Sequence, residues 1–402
     1  MHHLTPLVLT LLVLTYAVVS EQVNRRFIAP ALIFMLAGMA LGPFGFDLLE
    51  AGPATEGYTV LAQLALTVIL FNQAAKLRLN RIRERSPVSL RLLVIGIPLT
   101  VLLSALTAAV VLPVLPWWEA VALAAIVAPT EVALIEALLD DTRIPERVRQ
   151  ALSVESGFYD GFALAILLVA LGLASQRTAP ESTHWIQFIF TTEILSLLAG
   201  AAVGLAGGWV VMWSRRKQWM TDTWAQLATL ALAFVCFQLG EWMQASGFVA
   251  AFTGGLAFSF ISRRNDDGLP TQVSDATGQL LELMVFAMFG AFAVIDGWRS
   301  ADWRVVLFSV LALFMVRIVA VLISLVRTSM AMSSRLFIGW FGPRGIGTLV
   351  LGLLVINRGE MEHTGLIGTV GVVTVSLSLV LHSLSTAPGI RLLAGRGSNP
   401  RP

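Results

Sequence analysis

The chain is divided into apolar stretches that are long enough to cross a bilayer and are separated by short polar loops. Stretches of roughly 17–25 apolar residues predict membrane-spanning helices, because a helix satisfies its own backbone hydrogen bonds in hydrocarbon. Only 13% of the residues are charged, which excludes an ordinary soluble class. The sequence therefore predicts an all-α polytopic membrane protein. Thirteen spans are predicted, near residues 4–20, 28–45, 58–75, 88–112, 117–139, 148–174, 185–213, 223–244, 246–262, 277–296, 303–327, 334–357 and 363–386.

The basic residues alternate between the two sides of this arrangement. Of the 27 Lys and Arg residues, twenty lie in the tail or in loops after odd-numbered spans, and four lie on the opposite side. By the positive-inside rule, the N-terminus faces outward and the short tail, 387–402, is cytoplasmic, in a cell (inner) membrane. No basic residue precedes the first apolar stretch, so we predict a mature span there and not a signal peptide.

Two predicted spans are interrupted at their centres by proline and polar residues. The first break is Ala128-Pro129-Thr130-Glu131, and the second is Gly342-Pro343-Arg344-Gly345. They lie seven spans apart, and an odd offset makes the two spans run in opposite directions. Paired broken helices in an inverted repeat indicate an ion or substrate site at the midplane of a secondary transporter. The alternative for Pro129 is an ordinary proline kink, since proline removes a backbone donor in any helix.

The sixth span carries acidic and hydroxyl side chains. Ionisable side chains are costly within a membrane and usually mark a functional site there. Ser156 and Asp160 are four residues apart and share one helical face. Together with Thr130 and the carbonyls freed at the first break, they could supply the oxygen ligands of a dehydrated alkali cation. A buried carboxylate is costly to leave charged and uncompensated, so a proton and a cation would compete for Asp160. The alternative is a structural aspartate hydrogen-bonded to the broken helix.

Two further charges predict an ion pair in the interior. Glu155 needs a cationic partner if it is buried, and Arg317 in the middle of the eleventh span needs an anion. We predict that they pair and hold the core helices together. Arg344 is expected to satisfy the ends of the broken helices or a nearby carboxylate.

With these residues in place, the chain resembles the NhaP-type sodium/proton antiporters of the monovalent cation/proton antiporter superfamily. The resemblance rests on Asn24-Arg25-Arg26 to Gly42-Pro43, on Leu61 to Leu77, on the Val127 to Gly161 core and on Gly342 to Gly345. It implies an inverted-repeat fold of the NhaA/NhaP type with two crossing broken helices. It also implies a homodimer whose ion-binding core, about 88–174 and 303–386, moves like an elevator against a dimerisation scaffold.

The resemblance also implies roles for single residues. The aspartate that matches Asp160 binds the cation in this family, assisted by residues that match Ser156 and Thr130. The acid that matches Glu155 pairs with the arginine that matches Arg317.

This chain departs from the family pattern at three positions. Tyr159 stands where the family usually has asparagine, Glu131 where it has aspartate, and Asn72 where it often has an acid on the third span. We predict that Glu131 joins the ion- and proton-binding group. The residues expected to support the break are Pro129, Tyr159, Arg344 and Asn72.

The predicted function is exchange of a monovalent cation for H⁺, with Na⁺ expected first and K⁺ or Li⁺ as alternatives. Exchange should be electroneutral, provided that Glu131 does not titrate. No phosphate-binding loop, basic nucleic-acid patch or resident cofactor is expected. A cation channel or a transport-inactive sensor on the same scaffold is the alternative. An intramembrane hydrolase is disfavoured because His184, His363 and His382 lie too far from Ser156 to serve as its base.

Overall fold

The computed structural model describes residues 4–49, 54–76, 87–131, 133–139, 141–175, 185–264, 270–358 and 361–397. Within these ranges the protein is all α-helical, as predicted. The helices are α1 (Leu4–Asn24), α2 (Pro30–Leu41), α3 (Ala54–Lys76), α4 (Pro87–Val111), α5 (Trp117–Val127), α6 (Glu136–Leu139), α7 (Glu146–Ser175), α8 (Trp185–Arg216), α9 (Asp222–Trp242), α10 (Gly247–Arg264), α11 (Gln272–Ser300), α12 (Trp303–Ser324), α13 (Met332–Trp340), α14 (Ile346–Arg358) and α15 (Thr364–Gly397).

Each predicted span coincides with one helix or with a pair of half-helices. Among the described helices, nine are long and apolar enough to cross a membrane, and four shorter apolar helices accompany them. The count of thirteen crossings stays a prediction. The last helix runs well past the predicted end at residue 386, and Ile390 and Leu393 on that extension are buried. Much of the predicted tail is therefore a packed continuation of the final span.

The helices form two groups that pack mainly within themselves. In one group, α3 packs on α10 and α11, α8 on α9 and α10, and α2 on α11. In the other, α5 packs on α4 and α7, while α12 and α14 pack on α15. The groups meet where α11 and α2 contact α15, where α3 contacts α7 and α14, and where α8 and α10 contact α7.

Glycine allows α8 and α10 in the first group to touch backbone to backbone. A Cβ on Gly200 would lie 2.2 Å from the carbonyl oxygen of Ala250, and one on Gly204 would lie 2.2 Å from that of Gly254. Such distances leave no room for any side chain. Small residues at a membrane helix interface permit this close packing.

The two halves of the second group share a local irregularity. A π-helical turn interrupts α4 at Leu92–Gly96, and another interrupts α12 at Leu311–Val316. These helices open the two predicted core segments, 88–174 and 303–386, and they pack on each other, while a third π-turn lies at Gly290–Val294 in α11. The matching turns agree with an inverted repeat, and π-turns are frequent at functional sites. The second turn ends directly before Arg317.

Candidate ion-binding site at the crossed helix breaks

The first break begins where α5 ends at Val127. Pro129 has no backbone N–H and disfavours helical geometry in the residue before it, so the helix stops there. The backbone resumes as a short 3₁₀ turn at Ala133–Ile135 and then as α6. Thr130 and Glu131 in the gap are both buried. The break therefore places these polar side chains in the interior of the protein. Without the break, α5 would continue through this region as a helix.

The second break is the extended stretch between Trp340 and Ile346, and two of its glycines are required by close neighbours. A Cβ on Gly342 would lie 1.7 Å from Nε of Arg317. A Cβ on Gly345 would lie 2.7 Å from Cγ of Glu131. Only glycine lets the backbone approach these charged side chains so closely.

The two breaks cross and bond to each other directly. The amide of Glu131 donates a 2.9 Å hydrogen bond to the carbonyl of Pro343. The Arg344 guanidinium donates to the carbonyl of Ala128 and, at 3.0 Å, to that of Pro129. The positively charged guanidinium of Arg344 thus binds the last carbonyls of α5, which form the negative end of the α5 helix dipole. Of the two partners that the sequence left open for Arg344, the structure shows the helix end.

Glu155 and Arg317 form a bidentate pair in the interior. Nη1 of Arg317 donates to Oε1 of Glu155 at 2.8 Å, and Nη2 donates to Oε2 at 3.1 Å. Both side chains are almost fully buried, at 2% and 1% exposure. The parallel geometry is the strongest that arginine and a carboxylate can form. The pair ties α7 to α12.

Asp160 lies one helical turn after Ser156 on α7, with its side chain buried. The hydroxyls of Thr130 and Ser156 are 2.9 Å apart, which joins the first break to this turn. Oδ1 of Asp160 would be 2.6 Å from a Cβ on Gly347, so the carboxylate abuts the first turn of α14. Among the described residues, neither of its oxygens has a hydrogen-bond partner. A buried carboxylate in that state is the place where a proton or a cation is needed.

Two neighbouring polar residues on α3, Asn72 and Gln73, have different surroundings, and the expected support of the break by Asn72 stays a prediction. Asn72 accepts a 2.8 Å hydrogen bond from Ser274 on α11. Its neighbour Gln73 lies beside Asp160, and Glu131 is the nearby acid. The buried Oε1 of Gln73 has no hydrogen-bond partner in the described structure. Adjacent residues on a helix point about 100° apart, so a shift of one position moves the side chain to another face.

Tyr159 precedes Asp160 on α7 and is fully buried. Its ring is buried in a small apolar cluster with Ile97, Val101 and Ala128. It therefore packs against the end of α5, which fits the expected support of the break.

The amino-acid sequence of this chain is similar to those of known cation/proton antiporters. Residues 8–391 match the family described as sodium/hydrogen exchanger, transmembrane. The chain is 26% identical over 394 residues to the K(+)/H(+) antiporter NhaP of Alkalimonas amylolytica, covering 97% of this chain and 67% of that protein. It is 27% identical over 358 residues to a probable Na(+)/H(+) antiporter of Schizosaccharomyces pombe, covering 84% of this chain and 46% of that one. The chain thus spans about two thirds of the first relative and less than half of the second.

A solved structure has the same fold. The sodium proton antiporter MjNhaP1 from Methanocaldococcus jannaschii at pH 8 superposes with a TM-score of 0.80 at 20% identity. The match covers 97% of this chain and 98% of that one. The predicted NhaA/NhaP-like architecture is therefore confirmed at the level of the fold.

Proposed function

The chain belongs to the sodium/hydrogen exchanger family of membrane transporters, and from this premise we propose that it exchanges a monovalent cation for protons at Asp160. The observation that carries the proposal is the buried carboxylate whose two oxygens lack hydrogen-bond partners among the described residues. A charge in that position is costly unless it is matched. Either a proton or an alkali cation matches it, and each excludes the other.

The proposed cation ligands are oxygens that lie near Asp160. The hydroxyl oxygens of Thr130 and Ser156 are hydrogen-bonded to each other at 2.9 Å, so both ligands lie together at the first break. Gln73 on α3 brings an amide group beside Asp160. Hard cations such as Na⁺ favour these oxygen ligands over nitrogen or sulfur. Glu131 is the second carboxylate of the proposed site.

We propose one-for-one exchange, which is electroneutral. Glu155 accepts hydrogen bonds from Nη1 and Nη2 of Arg317, and we assign it a structural role in which it does not bind the transported ions. If Glu131 keeps one protonation state throughout the cycle, Asp160 is the one carboxylate that binds and releases the cation and the proton. Each cycle then moves one cation in one direction and one proton in the other.

We propose an elevator-type motion of the group containing α4 to α7 and α12 to α15. This group matches the core predicted from residues 88–174 and 303–386, and it packs mainly within itself. Asp160 lies at its border with the scaffold, where α3 contacts α7. The homodimer, the outward N-terminus and the inner-membrane location belong to the same proposal and rest on the family resemblance and the charge asymmetry.

Proteoliposomes with a pH-sensitive dye inside test the exchange. NaCl, LiCl and KCl are added in turn, because relatives named for Na⁺ and for K⁺ both occur. We take Na⁺ as the first candidate. The wild type should alkalinise the interior of acid-loaded vesicles without dependence on an imposed voltage, and Asp160→Asn should abolish the response. Asp275→Asn, which removes a carboxylate paired with Lys76 away from the site, is the matched control.

Competition also predicts the pH dependence. As pH falls, more Asp160 carries a proton, so the half-saturating cation concentration should rise while the maximal rate stays constant. Voltage-driven cation flux without a pH change would instead identify a channel. Exchange that survives Asp160→Asn would end the proposal.

A further inference from the structure

The carbonyl of Trp340, the last residue of α13, accepts two hydrogen bonds at the start of the second break. Gly342 donates its amide at 3.0 Å across an inverse γ-turn, in which Phe341 has φ −84° and ψ 73°. Nε2 of His382 on α15 lies 2.8 Å from the same oxygen. A carbonyl has two lone pairs, so both donors can be accommodated. His382 is buried and stacks with Phe314.

The other end of the break is held by the preceding turn of α15. The amide of Arg344 donates a 2.7 Å hydrogen bond to Oγ of Ser378. That hydroxyl lies 3.1 Å from Nδ1 of His382. One turn of α15 therefore contacts the backbone at both sides of the extended stretch.

Both ring nitrogens of His382 lie close to a backbone carbonyl, since Nε2 is 2.8 Å from that of Trp340 and Nδ1 is 2.9 Å from that of Ser378. A neutral imidazole donates from one nitrogen and accepts at the other. With the proton on Nε2, His382 donates to Trp340, and Nδ1 can accept the Ser378 hydroxyl proton. Ser378 in turn accepts from the Arg344 amide. With the proton on Nδ1 instead, His382 donates to the Ser378 carbonyl of its own helix, so the bond to the break requires the proton on Nε2.

We propose that Ser378 and His382 are positioning residues that fix the second break relative to Asp160, and thereby set the affinity for the transported cation. This inference rests on the proposed function of Asp160. Its physical basis is the short path from the break to the site. Gly345 contacts the Glu131 side chain, and Gly347 contacts the Asp160 carboxylate, immediately after Arg344. Movement of the break backbone would therefore move the surfaces against which both carboxylates lie.

A purely structural role predicts a different result. If these hydrogen bonds only satisfy buried polar groups, their loss lowers stability and the amount of folded protein, and leaves the cation affinity of each folded molecule unchanged. A positioning role changes the half-saturating cation concentration. The two roles are separated by measuring that concentration on folded, monodisperse protein.

The experiment compares four variants with the wild type by cation titration in the proteoliposome assay. Ser378→Ala removes the bond to Arg344, and His382→Phe removes both ring contacts while it keeps an aromatic ring. His382→Gln keeps a donor that reaches about as far as Nε2. Ser376→Ala is the matched control, because that buried serine on the same helix bonds instead to Trp298 at 2.9 Å.

We expect Ser378→Ala and His382→Phe to raise the half-saturating concentration by about tenfold, the factor that corresponds to one buried hydrogen bond. His382→Gln should lie between His382→Phe and the wild type, and Ser376→Ala should equal the wild type. If His382→Phe does not fold, Ser378→Ala and His382→Gln decide the question. Wild-type affinity in both would overturn the inference. Asp160→Asn, measured in parallel, reports separately on the proposed function.

Discussion

The amide of Glu131 donates to the carbonyl of Pro343 at 2.9 Å, so the two interrupted helices are joined through their backbones at the point where they cross. Arg344, the next residue after Pro343, satisfies carbonyls at the end of α5. Each break is thus completed by groups that the other provides. We therefore expect that neither break keeps its conformation without the other.

Arg344→Gln should destabilise the folded protein. The carbonyls of Ala128 and Pro129 lose their cationic partner in a buried site, and an unsatisfied buried acceptor costs about 1–3 kcal/mol. We expect a lower midpoint of thermal unfolding in detergent. Arg335→Gln is the matched control, since Arg335 also donates to two backbone carbonyls, those of Thr328 and Met330, but in a partly exposed turn. Equal effects of the two substitutions would contradict the assigned role of Arg344.

Breaking the interior ion pair should cost more than losing a surface pair. Glu155→Gln or Arg317→Gln alone leaves a buried charge unmatched, which costs about 3–5 kcal/mol. The double substitution should cost less than the sum of the two. Thermal unfolding of the four proteins gives the coupling energy. Arg25→Gln removes a partner of Glu21 on the surface and should leave the midpoint unchanged. Additive single effects would count against the pair.

Gly347→Ala should impair cation binding while the protein remains folded. The added methyl group would lie 2.6 Å from Oδ1 of Asp160, and overpacking of this kind costs about 1–3 kcal/mol. We expect a rise of about tenfold in the half-saturating cation concentration. Gly352→Ala, on the same helix, meets only Ile126 at 3.9 Å and serves as the control. Wild-type affinity in Gly347→Ala would show that α14 does not border the occupied site.

Gln73 and Asn72 should have different phenotypes although they are neighbours in the chain. Gln73→Leu removes a polar group beside Asp160 and should weaken cation binding by about tenfold. Asn72→Leu leaves Ser274 unpaired and should lower stability by about 1–3 kcal/mol, with cation affinity retained. Cation titration and thermal unfolding of both variants check this pattern. The reverse pattern, with weakened cation binding in Asn72→Leu and not in Gln73→Leu, would contradict the position assigned to Gln73.

The residues whose positions could be predicted are those that hydrocarbon constrains most strongly. Pro129 and the Gly342–Gly345 stretch cannot continue a helix, so both breaks could be found from the sequence. Glu155 and Arg317 could be matched because each buried charge requires the other. These constraints depend on residue type alone and do not depend on exact helix rotation.

Other positions depend on rotation and on tertiary contacts that a single sequence does not contain. Asn72 and Gln73 are equally polar, and only the orientation of α3 decides which one lies beside Asp160. In the sequence, His382 stands near the end of a span and is typical of a packing residue. Its contact with Trp340 depends on how α15 crosses the second break. The extension of α15 to Gly397 was missed because glycine, proline and arginine there are typical of a tail.

The glycine contacts between α8 and α10 also bear on how the molecule can transport. Gly200 and Gly204 bring the backbones of α8 and α10 into direct contact, so a larger side chain at either position would push the two helices apart. If the core moves as proposed, it moves against this scaffold, and we expect a substitution that separates α8 from α10 to slow turnover even though it lies far from Asp160.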